Sequence, residues 1–211
     1  MKVWPAAVAR VHEEVADMQA IADAEAKAGK GPQITIEPWD YRFYAEKVRK
    51  AKYDLDESEV KPYLQLDKLV DAMFWSAGQL YDLGFKENTG TVPVFDPKVR
   101  TFEVLNLKTG ENVGLLYLDN FARDGKRSGA WMTTYRSQQT LGGERNVLAS
   151  NNNNFTEGAK GVPTLVSLDD AATLFHEFGH GIHYLLQQVT YPWLAGVPRD
   201  FVEYPSQVNE N

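Results

Sequence analysis

Three of the chain's four histidines fall in the run TLFHEFGHGIHYLL at positions 173–186. On an α-helix His176 and His180, four residues apart, project from one face about one turn from each other, so both imidazoles can reach one ion. Glu177 follows the first histidine directly, and its carboxylate leans over the same place, where it can take a proton from a bound water. This is the H-E-x-x-H pattern: two imidazoles on a metal with a general base beside them. A catalytic zinc takes three protein side chains and keeps a fourth position for water, so a third ligand must come from farther along the chain. The acids of GVPRDFVEYPSQVNEN provide the candidates Asp200, Glu203 and Glu210. Glu203 is favoured: it lies 27 residues after His176, in a short helix-like stretch at 199–204, with enough chain to leave the first helix, turn and return. Asp200, one helical turn earlier, suits the orientation of a ligand, and a helix cap is its equal rival. His183 is read as a structural histidine bonded to backbone in preference to one that flanks the site.

Composition bounds the chemistry. The chain has 211 residues, 43% of them hydrophobic, which is ordinary for a globular protein with a core. A formal net charge of −7 argues against nucleic acid as a partner. No apolar run is long enough to span a membrane. With no cysteine, a metal must be held by nitrogen and oxygen. One early lysine is followed by His12, Glu13 and Glu14 before any apolar stretch forms, so no signal peptide is read and a cytoplasmic location is expected.

The elements that must position these groups follow from periodicity. Helical spacing runs through residues 3–28, stopped by GKGP; through 37–53, where Trp39, Phe43, Tyr44 and Val48 mark a buried face; and through about 64–83. The period then changes. Phe102, Val104 and Leu105, a turn at Lys108–Asn112, and Val113, Leu115 and Tyr117 predict a hairpin. GAWMTTYRS (129–137) and NVLASNNNNF (146–155) predict two more strands of a small antiparallel sheet, with Asn151–Asn154 placed where a strand runs out into a loop. GAWMTTYRS is also a candidate edge for pairing with an extended peptide, although an ordinary sheet strand is the preferred description. Lys126 and Arg127 are read as a solvated loop. Ser167, three residues before Asp170, predicts a capping box for the motif helix, whose apolar face is Leu174, Phe175, Phe178, Ile182, Leu185 and Leu186. Gly179 and Gly181 cost up to ~1 kcal/mol each inside a helix, and close approach of a neighbouring backbone or of substrate is the expected reason.

FHEFGHGIHYLL followed by RDFVEYPSQVNEN resembles the metal-binding region of the thimet oligopeptidase family of zinc metallopeptidases, and AGVPRDFVEYPSQVNE looks most like its bacterial peptidyl-dipeptidase branch. EPWDYRFYAEKVRKAKY, LLYLDNFARDGKRSGAWM and NNNNFTE are also similar to the family's catalytic region. The resemblance implies an α+β, mainly helical fold: a zincin-like catalytic core with a small antiparallel sheet beside the motif helix. It implies one zinc ion on His176, His180 and Glu203, with Glu177 as base, acting on short peptides. The link before RDFVE is about two residues shorter than in the family. The family's chains are also much longer. The expected organisation is therefore a partial catalytic domain, with a helical part (1–90), a sheet part (91–160) and metal-binding helices (161–211), incomplete at the C-terminus and at the N-terminus. Such a piece is expected to expose apolar surface through which it self-associates. The alternative function is a catalytically incomplete fragment that at most binds metal or associates.

Overall fold

Ser167 begins the best-specified element. Its hydroxyl accepts from the N–H of Asp170 while the Asp170 carboxylate accepts from the N–H of Ser167, so the predicted capping box is present at the helix Leu168–Leu185. The computed structural model describes residues 3–53, 57–143 and 145–211. Met1 and Lys2 of the N-terminal reading and Glu144 of the turn ahead of NVLAS lie outside the described residues. In chain order the helices are α1 (Trp4–Lys27), α2 (Tyr41–Tyr53), α3 (Glu57–Val60), α4 (Leu66–Tyr81), α5 (Leu168–Leu185) and α6 (Glu203–Glu210). The strands, between α4 and α5, are β1 (Leu83–Glu87), β2 (Arg100–Asn106), β3 (Asn112–Phe121), β4 (Trp131–Arg136) and β5 (Val147–Phe155). Among the described residues, no helix is long and apolar enough to cross a membrane.

The chain divides into two compact units, residues 1–59 and 60–211. In the first, α1 and α2 enclose Met18, Ala22 and Tyr44, and Gln19 holds the extended residues 34–36 through bonds to the carbonyl of Ile34 and the N–H of Ile36. Two aromatic residues of the predicted α2 face are not buried: Trp39 is 79% exposed and Phe43 61%. Trp39 precedes the helix, and Phe43 packs under the ammonium of Lys47 rather than into the core. Tyr44, one position on, takes the inward place.

The second unit is built on a five-stranded sheet of order β1-β2-β3-β5-β4. β2 and β3 form the predicted hairpin, antiparallel from Arg100–Leu118 to Leu105–Asn112. The sheet as a whole is mixed rather than antiparallel, because β3 and β5 run parallel. The chain leaves β3, crosses about two strand spacings, roughly 10 Å, to lay down β4, and returns to fill the gap with β5. Two features depart from what the sequence predicts. β1 starts one residue after α4, and Asp82, in a left-handed conformation at φ 56°, makes the stop without glycine or proline. Asn151–Asn154 do not run out into a loop but continue β5, with Asn151, Asn152 and Asn153 buried. Asn151 and Asn152 are paired with β3 on one side and β4 on the other. Asn152 donates to the carbonyl of Trp131, Asn153 to Asn120 and Asn154 to the carbonyls of Arg127 and Gly129.

Leu174, Phe178, Ile182 and Leu185 of α5 meet Leu116, Leu118, Val147 and Ala149 of the sheet and Val70, Met73 and Ala77 of α4 in one core. Lys126 is no solvated loop residue. Its side chain is 2% exposed, and its ammonium bonds to the carbonyls of Asp119, Phe121 and Asn153 and pairs with the Asp119 carboxylate at 3.0 Å. Burial lowers its pKa, against the opposing pull of Asp119.

Candidate metal centre

α5 crosses the sheet with its histidines turned away from the core, and α6 returns along it. The two glycines of the motif sit where the neighbours come closest. A Cβ on Gly179 would stand 2.8 Å from the Cα of Ser206 in α6, and one on Gly181 would stand 2.8 Å from the side-chain oxygen of Asn151 in β5. Close approach is therefore the reason for both glycines, and the neighbours are a helix and a strand. The chain between α5 and α6 is tied back by Gln187, which donates to the carbonyl of Ala195 at 2.7 Å, and by the N–H of Val189, which donates to Gln138 at 2.7 Å. A turn in which the N–H groups of Phe201 and Val202 reach Pro198 then leads into α6, which starts at Glu203 rather than at 199.

This path brings Glu203 onto the imidazoles. Its Oε2 lies 3.2 Å from Nε2 of His176 and 3.2 Å from Nε2 of His180. One ligand atom from each of the three residues falls within 4.8 Å of the others. Two imidazole nitrogens and one carboxylate oxygen form the donor set of a His₂Glu zinc site, so the residues present fit that ion. The hydroxyl of Ser206 donates to the Glu203 carboxylate at 3.2 Å and to its carbonyl at 2.9 Å, steadying the residue at the helix start. Burial lowers the pKa of His180, against the Glu203 carboxylate, which favours the neutral imidazole that a metal needs.

Glu177 is buried beside them. Burial raises its pKa; the His176 ring and an N–H from Met132 of β4 oppose the rise, and the Glu203 charge adds to it. An open cleft of about 290 Å³ is lined by Trp131, Met132, His176, Glu177, His180 and Glu203, among others. Its wall is β4, the edge strand of the sheet.

Asp200 and His183 lie elsewhere. Asp200 is exposed, and among the described residues no hydrogen bond or ion pair joins it to either histidine. The carboxylate that does reach Nδ1 of His176, at 2.7 Å, belongs to Glu210. Glu210 stands seven residues after Glu203, two turns along the same helix face, and that spacing is the sequence signal for it. His183 faces a different groove, between α5 and α6, with its ring near Tyr184 and Phe201; burial lowers its pKa.

Residues 1–211 match the profile of Peptidase family M3. The chain is 42% identical to the dipeptidyl carboxypeptidase of Escherichia coli (strain K12) over 100% of its own length and 30% of that protein's. It is 36% identical to oligopeptidase A of Salmonella typhimurium over 94% of its length and 29% of the relative's, and 30% identical to the organellar oligopeptidase A of Arabidopsis thaliana over 99% and 26%. The chain thus spans about 30% of the length of the curated relatives it matches first. A match to the family's profile along the whole chain places it by descent: the chain belongs to peptidase family M3.

Proposed function

We propose that these residues carry the zincin-like metal site of a zinc peptidase that hydrolyses short peptides, as an oligopeptidase or peptidyl-dipeptidase. The observation that carries the proposal is the convergence of His176 Nε2, His180 Nε2 and Glu203 Oε2 beside the buried Glu177. Because the chain spans about 30% of its relatives, the activity is proposed for the family-length protein and the metal site for these residues.

His176, His180 and Glu203 would hold one zinc ion. When bound there, zinc supplies a Lewis acid for the scissile carbonyl and lowers the pKa of a water toward ~7. Glu177 takes the proton of the attacking water and delivers it to the departing amine, and its place in the cleft beside both imidazoles suits it to both steps. The outer edge of β4 receives the peptide in extended form by backbone pairing, and Trp131 and Met132 flank the scissile bond.

Zinc titration of the 211-residue chain separates the roles. The expected stoichiometry is one ion, Glu203→Ala should weaken binding sharply, and Glu177→Gln should leave it nearly intact. Equal loss in both variants sinks the assignment.

A further inference from the structure

His176 is gripped at both ring nitrogens by one helix. Its Nε2 faces Glu203 at 3.2 Å and its Nδ1 faces Glu210 at 2.7 Å, and the two carboxylates lie seven residues apart on α6. His180 has Glu203 alone among these acids. The residue next to Glu210 completes the grip: the Asn209 amide donates to the carbonyl of Phe175 at 2.5 Å, so the last turn of α6 is tied to the backbone immediately before His176. Asn209 and Glu210 thus hold the start of the motif by its main chain and by its first imidazole.

We propose that Glu210 is the positioning residue of the metal centre: it holds the proton of His176 on Nδ1, fixes the plane of the ring and leaves the Nε2 lone pair facing His180 and Glu203. A neutral imidazole carries its proton on one nitrogen only, and the hydrogen bond at one nitrogen decides which is left free for a metal. A carboxylate is an acceptor only, and two of them face this ring; the one 2.7 Å from Nδ1 makes the shorter bond and outcompetes the one 3.2 Å from Nε2, so a neutral ring keeps its proton on Nδ1. Without it the proton can move to Nε2, where it would occupy the ligand position, and the ring gains rotational freedom. The Glu210 role is a property of this contact and of the metal-free protein; its consequence for zinc rests on the metal-site reading above.

The test uses the 211-residue chain with ¹⁵N-labelled histidine, without metal, at a pH raised until the ring ¹⁵N shifts report one proton per ring. Long-range ¹H–¹⁵N spectra should show His176 with its proton on Nδ1. In Glu210→Ala the signal should move toward the Nε2–H form, and zinc affinity, measured against a competing chelator, should fall about 10- to 100-fold. Glu210→Gln keeps a side-chain oxygen that can accept from Nδ1 and should recover both readouts in large part. It also guards against loss of fold in the alanine variant. Asn209→Ala, which removes the neighbouring bond without touching the ring, should leave the tautomer unchanged. The proposal is overturned if the native chain carries its His176 proton on Nε2, or if Glu210→Ala keeps both the tautomer and the affinity. A native chain with the proton on Nδ1 that binds no zinc would instead overturn the metal reading and leave the positioning role standing.

Discussion

Replacing Gly179 with alanine should loosen the proposed metal site without altering His176, His180 or Glu203. Inside an ordinary helix the change stabilises by roughly 1 kcal/mol. Here the new Cβ would stand 2.8 Å from the Cα of Ser206, 2.9 Å from the Cβ of Asn209 and 3.2 Å from the carbonyl oxygen of Pro205. None of these atoms can swing aside by a rotamer change, so α6 itself must retreat. Carbon atoms in contact sit about 3.5–4.0 Å apart, which sets the retreat at about 1 Å. Overpacking of this kind costs about 1–3 kcal/mol, so after the helix-propensity gain the expected net loss of stability is about 0–2 kcal/mol. The effect on the site is larger than that on the fold, because Glu203 and Glu210 ride on the displaced helix and reach His176 over 3.2 and 2.7 Å. Zinc affinity should fall at least about 10-fold, on the scale of losing a supporting group around a metal. Gly181→Ala is the comparator: its Cβ meets Asn151 of β5 and nothing of α6, so it should cost stability with a smaller change in affinity. Chelator competition and thermal unfolding on both variants provide the readout. A Gly179→Ala chain that melts higher than the parent and binds zinc equally well refutes the close-packing argument.

Lys126→Met removes the donor that serves three carbonyls and leaves the nearly buried Asp119 with Arg123 as its remaining partner. Breaking a buried pair costs about 3–5 kcal/mol, and the surviving arginine puts the expectation near the lower end; urea unfolding that shows a loss under about 1 kcal/mol would refute the structural role. Glu87 is held below the usual carboxyl range, chiefly by the hydrogen bonds from Arg100, so its contribution is present above the unfolded value and lost as pH falls through the folded one. Its side chain is 43% exposed, so screening limits the contribution: Glu87→Gln should cost no more than about 1 kcal/mol at neutral pH. The difference should narrow as pH is lowered below the ordinary carboxyl range, and a gap that stays constant through that descent would refute it.

What could be read from the sequence is what neighbouring residues decide among themselves. Ser167 and Asp170 cap α5 through contacts three residues apart, and the i, i+3, i+4 spacing of Leu174, Phe178, Ile182 and Leu185 fixes which face enters the core. The turn at Lys108–Asn112 folds β2 onto β3 for the same local reason. His176, Glu177 and His180 share a face because a helix repeats every 3.6 residues. Tertiary structure decided everything that depends on distant partners. The parallel pairing of β3 with β5 follows from the path of the chain through β4, and no local pattern encodes it. Asn151 and Asn152 of β5 look like loop residues until β3 and β4 pair with them on both sides. Phe43 and Tyr44 are adjacent aromatics that helix periodicity alone leaves in competition for the core. Among the acids after α5, sequence favoured Glu203 and gave Glu210 no role beside the ring; the contact of α6 with Gly179 brings Glu203 to both Nε2 atoms and Glu210 to Nδ1 of His176 while Asp200 stays in solvent. Helix spacing can bring two side chains to one ion, but the third must arrive across a packed interface, and the shape of that interface is set by every residue that touches it.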